Sequence, residues 1–323
     1  IVCFISSLSN ASDTLVIRKG LMIKIPFSRS NVISPNPIAS QIGLGKWKTP
    51  HEGDELKVND KESYQWQEIV ADNSGWFKNE SLRNAYVFVE YYSNKEQIVL
   101  LEAMGNENVY VNGVLHSGNP YRFKDKYEDW EPRFDYSLIP IQLNKGKNEF
   151  LFECNRGALK AKLHFNNPEL IFNQYDLTLP DIMINEPVNL YGAIPIINAS
   201  EKNYKNLLIK VSSQNSNPVY SSVEVISPLS IYKAPFKIVL PTQNQKGELE
   251  LKLELIEKIK NEEKVLTKTI VKIKVLSPEE THKETFISKL DGSVQYYAVN
   301  PPQNLKSKPA LFLSLNGAGV EAI

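Results

Sequence analysis

The stretch Glu248-Leu249-Glu250-Leu251-Lys252-Leu253-Glu254-Leu255 constrains this chain more than any other. Successive side chains of a strand point to opposite faces, so strict alternation sets all four leucines on one side and the charges on the other. A helix would scatter the same residues around its circumference. A strand with one wet face is therefore predicted. After a polar turn near residues 260–264, Ile270-Val271-Lys272-Ile273-Lys274-Val275 supplies its partner in a long hairpin.

The same signal recurs along the chain. Residues 85–92 and 97–103 are β-branched and aromatic, and Asn108-Val109-Tyr110-Val111 meets Val114-Leu115 across Asn112-Gly113. An Asn-Gly pair between apolar runs is a strong hairpin signal because both residues accept positive φ. Residues 139–143 and 149–154 make two more strands joined by Asn144-Lys145-Gly146-Lys147-Asn148. Short strands at intervals of about 8–15 residues imply a sandwich or jelly roll. A second β region covers about 170–277, with strands expected at 181–185, 188–197, 206–212, 219–226 and 236–240. Its size and strand spacing fit an immunoglobulin-like or fibronectin-type-III-like sandwich.

Composition narrows the function classes. A chain of 323 residues suggests about two domains with room for a third. Lys+Arg and Asp+Glu both number 37, so no excess of positive charge supports a nucleic-acid partner. The Lys/Glu-rich stretch near 250–274 is mixed in sign and reads as a solvated face. No segment reaches the ~20 apolar residues of a membrane-spanning helix. Residues 1–11 hold a short apolar run followed by Ser9-Asn10-Ala11 and read as the tail of a secretory signal cut before Ser12, which implies export to the periplasm or outside the cell. Cys3 would leave with it, and Cys154, in an apolar strand, reads as a small core residue. His51, His116, His164 and His282 are widely spaced and form no metal-binding motif. Gly43-Leu44-Gly45-Lys46 lacks the spacing of a phosphate loop and reads as a surface turn.

The last forty residues change character. Residues 277–284 are polar and turn-prone, and the strands 284–290 and 294–299 flank Asp291-Gly292. Residues 310–315 form an apolar run without alternation, which implies burial on both faces, as in an α/β sheet.

Asp291-Gly292-Ser293-Val294-Gln295-Tyr296-Tyr297-Ala298-Val299, a Pro-rich loop, and then residues 311–322 resemble the entry into the α/β-hydrolase domain of secreted prolyl-oligopeptidase-type serine hydrolases. Upstream, Trp76-Phe77, Glu102-Ala103-Met104-Gly105, Val109-Tyr110-Val111-Asn112-Gly113, Gly118-Asn119-Pro120-Tyr121 and Arg156-Gly157 resemble a galactose-binding-like jelly roll. The resemblance implies a mainly β chain: residues 1–11 a partial signal, 12–168 a galactose-binding-like jelly roll, 169–278 an immunoglobulin/fibronectin-III-like sandwich, and 279–323 the truncated first strands of an α/β-hydrolase domain. It further implies a peptidase or esterase whose β domains gate substrate, and an oxyanion hole drawing on the backbone N–H groups of Gly317 and Ala318. Asn316 stands where such hydrolases usually carry His.

The segment 121–137 offers a different chemistry. Tyr121, Tyr127, Trp130, Phe134 and Tyr136 are placed to stack on sugar rings, with Asp125, Asp129 and Glu131 accepting hydroxyl hydrogen bonds. The same acids suit a structural Ca²⁺, which takes clustered oxygens; no other cofactor is expected. Equally, the aromatics could cover a sandwich edge above solvated acids. The partners left open are a peptide, an ester or a carbohydrate, the last implying a binding module without hydrolase activity. No G-x-S-x-G nucleophile elbow occurs in the sequence. The purified chain is therefore expected to turn over no p-nitrophenyl ester, and measurable turnover would contradict that.

Overall fold

A computed structural model of the chain describes residues 14–25, 36–59, 62–120, 137–214, 216–260, 262–302 and 310–314. The chain divides into two units between Asn167 and Pro168, and it is mainly β.

The first unit contains β1 (Thr14–Val16), β2 (Lys19–Lys24), α1 (Pro37–Gly43), β3 (Glu55–Asn59), β4 (Glu62–Gln65), β5 (Gln67–Val70) and β6 (Phe77–Lys78). It continues with β7 (Ala85–Ser93), β8 (Gln97–Met104), β9 (Asn106–Val111), β10 (Val114–Asn119), β11 (Leu138–Leu143), β12 (Gly146–Cys154) and β13 (Ala158–His164). Among the described residues, β10-β9-β12-β7-β2-β5 form one sheet and β1-β13-β8-β11 another, with β6 joined to β13. All these pairings are antiparallel. The two sheets share one core. Val87, Val89, Val109, Phe150 and Phe152 enter it from the first sheet, and Val99, Leu101, Ile141, Leu159 and Leu163 from the second.

The first sheet is also covered on its other face. Ile23, Tyr86, Phe88 and Leu151 pack there with Ile38 of α1, Leu56 of β3 and Trp66. Burial on both sides accounts for the unbroken run Ala85 to Val89, all five of which are buried. Gly43-Leu44-Gly45-Lys46 is the exposed turn that the sequence implies, and it closes helix α1, which sequence reading does not anticipate. Its start carries a recognisable signal: Asn36 Oδ1 accepts from the backbone N–H of Ile38 (3.1 Å) and Ala39 (3.2 Å), and Pro37 opens the helix.

Two positions require positive φ. Asn112 (φ 50°) and Gly113 (φ 81°) form the tight turn joining β9 to β10. Gly105 (φ 88°) sits between β8 and β9, where an added Cβ would collide with the carbonyl oxygen of Ala158.

The second unit contains β14 (Leu170–Phe172), β15 (Ile182–Met183), β16 (Val188–Asn198), β17 (Leu207–Ser212) and β18 (Val219–Val223). After these come β19 (Ser230–Leu240), β20 (Gly247–Ile259), β21 (Glu262–Leu276), β22 (His282–Ile287) and β23 (Val294–Val299). Sheets β14-β16-β19 and β15-β21-β20-β17-β18 share a second core, with β22-β23 as a separate hairpin. The alternating stretch behaves as its period demands. Leu251, Leu253 and Leu255 are fully buried against a core that includes Ile194, Ile196, Phe236 and Ile238. On the opposite face Lys272 pairs with Glu248 (3.3 Å) and Lys252 with Glu254 (2.6 Å).

The expected α/β character of the last residues is corrected. Residues 310–314 form no strand, and Leu311, Phe312 and Leu313 are 85%, 87% and 78% exposed. A doubly buried strand belongs to a sheet covered on both faces. Among the described residues the single parallel pairing is the two-residue contact of β15 with β21. The β22-β23 hairpin belongs to the second unit instead: Thr285 Oγ1 donates to the Tyr191 carbonyl (2.6 Å), and the Lys283 N–H donates to Asp181 Oδ2 (2.7 Å).

Leu253→Ala is expected to lower the unfolding free energy by about 2–5 kcal/mol, whereas Glu250→Ala, on the wet face of the same strand, should change it by less than about 0.5 kcal/mol. Equal losses in urea denaturation would contradict this assignment of faces.

Candidate functional site

A groove of the second unit lies where the ends of β17 and β19 meet β20 and β21. Strand β17 ends at Ser212 and leads into Ser213, Gln214 and Ser216; β19 ends at Leu240 and leads into Pro241, Thr242 and Gln243; β20 contributes Glu248, Leu249, Glu250 and Lys252, and Ile270 comes from β21. Together they line a groove of about 890 Å³. Internal bonds hold the loops. The Ser213 N–H donates to Ser216 Oγ (3.2 Å), Gln243 Nε2 donates to the Pro241 carbonyl (2.6 Å), and the Asn185 N–H donates to the Gln243 carbonyl (2.7 Å).

The lining is polar and apolar in about equal measure, and most of its polar side chains are neutral. Hydroxyl and carboxamide groups both donate and accept, so Ser212, Thr242 and Gln214 offer both roles to a ligand. Pro241 and Leu249, with Ile270 (57% exposed), supply apolar surface beside them. All the charge comes from β20. The Glu248 carboxylate is taken by Lys272, and the Lys252 ammonium by Glu254, which is itself buried. Glu250 makes no ion pair or side-chain hydrogen bond among the described residues.

A second cluster carries titratable groups in the first unit. His164 Nε2 lies 2.7 Å from Glu102 Oε2, its Nδ1 lies 3.0 Å from Thr14 Oγ1, and Lys162 Nζ donates to Glu102 Oε1 at 2.8 Å. The residues come from β1, β13 and β8, three neighbours in one sheet, so the cluster joins the short β1 to the strands beside it. Burial alone would raise the Glu102 carboxyl. Hydrogen bonds from His164 and Lys162, with their charges, outweigh burial and hold it at about 2. No group of three or more His, Cys, Asp or Glu among the described residues could hold a metal ion. Cys154 is buried and free, and burial pushes its thiol well above the usual range.

The residues that sequence reading singled out are not among those the structure describes. Tyr121, Asp125, Tyr127, Asp129 and Trp130 lie outside the described residues, as do Glu131, Phe134 and Tyr136. So do Gly317 and Ala318, together with Asn316 and the signal-like residues 1–11. The groove was missed because its residues are scattered in sequence. A trace of it was present: Ser212-Ser213-Gln214-Asn215-Ser216-Asn217 and Thr242-Gln243-Asn244-Gln245 are hydroxyl- and amide-rich loops between strands.

No family model and no curated protein matches the chain. Solved structures are found at low similarity. A GH2 β-galacturonidase from Eisenbergiella tayi bound to glycerol is 10% identical with a TM-score of 0.33, over 87% of this chain and 46% of that one. A β-glucuronidase of Parabacteroides merdae is 12% identical with a TM-score of 0.32, over 85% and 36%. A β-D-mannosidase from Dictyoglomus thermophilum is 10% identical with a TM-score of 0.33, over 88% and 38%. The chain thus spans less than half the length of these solved structures, and TM-scores this low carry no conclusion about its activity.

The resemblance to prolyl-oligopeptidase-type serine hydrolases is corrected. Among the described residues the one α-helix has seven residues, whereas an α/β-hydrolase sheet is flanked by helices on both faces. The reading as part of a serine peptidase or esterase falls with it. No helix among the described residues is long and apolar enough to cross a membrane.

Because the Glu102 carboxyl is held below its ordinary value of 4.5, the cluster's contribution to stability is present above pH 4.5 and is lost as pH falls toward 2. The difference in urea-unfolding free energy between the wild type and Glu102→Gln should therefore shrink across that window. A difference that stays constant with pH would contradict the account.

Proposed function

We propose that this chain is a non-catalytic, carbohydrate-binding pair of β-sandwiches, the first a galactose-binding-like jelly roll and the second immunoglobulin-like. The observation that carries the reading is the groove of the second unit. Its hydroxyl, amide and carboxylate lining, with Pro241 and Ile270 at its side, matches a ligand that presents many hydroxyls together with apolar C–H faces. Oligosaccharides are such ligands. The loops that supply the polar groups connect strands of a well-packed sandwich, the usual arrangement for recognition on a rigid scaffold.

An exported location, periplasmic or extracellular, accords with this role and rests on the signal-like composition of residues 1–11. Tyr121, Tyr127 and Trp130, with Asp125 and Asp129, make a second proposed sugar contact, with a structural Ca²⁺ as the other use of those acids.

Isothermal titration with a panel of neutral oligosaccharides is expected to find a ligand. The double variant Gln214→Ala/Thr242→Ala should weaken its binding about tenfold, the loss of two ordinary hydrogen bonds, while leaving the far-UV spectrum unchanged. A wild-type chain that binds no oligosaccharide would overturn the proposal.

A further inference from the structure

We infer that Glu250 makes the groove select uncharged and cationic sugars over uronic acids. The inference rests on the carbohydrate reading above and adds the class of sugar. The loops from β17 and β19 bring only Ser, Gln, Leu, Pro and Thr to the groove, so its charge is set by Glu248, Glu250 and Lys252. Two of these three are already committed. Lys272 lies 3.3 Å from Glu248, and Lys252 is held at 2.6 Å by Glu254, which is only 8% exposed. The same face of β21 presents Lys272 opposite Glu250 and Lys274 opposite Glu248, but neither lines the groove, and Lys272 is engaged by Glu248.

Glu250 is left as the uncompensated group of the lining. An ionised carboxylate only accepts hydrogen bonds, and its two oxygens suit two neighbouring hydroxyls of a sugar ring. The ammonium of an amino sugar would form a stronger, charge-assisted bond in the same place. A uronate carboxylate would meet a like charge there, with no free cation in the lining to receive it.

The test is a titration with matched pairs across several sugar backbones, each neutral oligosaccharide beside its C6-oxidised uronate form, together with the amino-sugar oligomer where one exists. Neutral and amino members should bind about three- to fivefold more tightly than their uronate partners at low salt, the upper part of the range of a solvent-exposed charge interaction. The gap should narrow as salt rises. Glu250→Gln, which keeps shape and hydrogen-bonding capacity, should bring each pair to within about twofold without weakening the neutral member much. Uronates that bind the wild type as well as their neutral partners would overturn the inference while leaving the carbohydrate reading intact. So would a gap that survives Glu250→Gln. A panel in which nothing binds would overturn both.

Discussion

Strand β12 holds the first unit together because both of its faces are committed. It runs between β9 and β7, and Phe150, Phe152 and Cys154 point into the shared core. The alternate residues Glu149, Leu151 and Glu153 meet a separate layer formed by residues 36–66. Leu151 joins the apolar centre of that layer, beside Phe88 and Trp66, whose rings lie 6.4 Å apart. The two carboxylates fix its margins. Glu149 accepts from Trp47 Nε1 (3.1 Å), the Thr49 hydroxyl and Lys147 Nζ (2.7 Å). Glu153 accepts from Asn108 (3.1 Å) and Asn36 (3.4 Å), and Asn36 also donates to the buried Tyr86 hydroxyl (2.8 Å) while capping α1. A slip of one residue would turn both carboxylates into the core and both phenylalanines outward, so the covering layer and the core specify the same register.

The second unit treats its outer face differently. The five-stranded sheet buries one side and leaves the other to ion pairs such as Lys210 with Glu263 (2.6 Å) and Lys272 with Glu248 (3.3 Å). Such exposed pairs add little stability. They keep the face soluble, and that lets the strand which builds the core also supply the charged wall of the groove. Leu249 and Leu251 on β20 contribute to the core cluster, while the alternate residues Glu248 and Glu250 line the opening. Along β19, which ends the three-stranded sheet, Pro235 sits among Lys233 and Lys237, residues that discourage further pairing at a sheet edge.

Much of the strand framework was legible in the sequence. Residues 85–92 and 97–103 fall within β7 and β8, the stretch 248–255 lies inside β20, and the Asn112-Gly113 turn stands where the pair predicts it. Periodicity reveals which face of a strand is apolar, but not what will cover it. That is why the layer over Phe88 and Leu151 was invisible, although Asn36-Pro37 marked the start of its helix. The same gap explains the error near residues 310–314. An apolar run without alternation was read as a strand buried in a parallel sheet, yet residues 310–314 form no strand and Leu311, Phe312 and Leu313 are exposed among the described residues. The groove was the least legible feature, because Gln214, Thr242 and Glu250 come together only when β17, β19 and β20 are in place.

The claim that the groove of the second unit is a sugar site is tested most directly by mapping where an oligosaccharide binds. In a backbone NMR titration, the shifts should concentrate at residues 212–216, 240–243 and 248–252. Shifts confined to the first unit, or to the outward face of the β22-β23 hairpin, would contradict it.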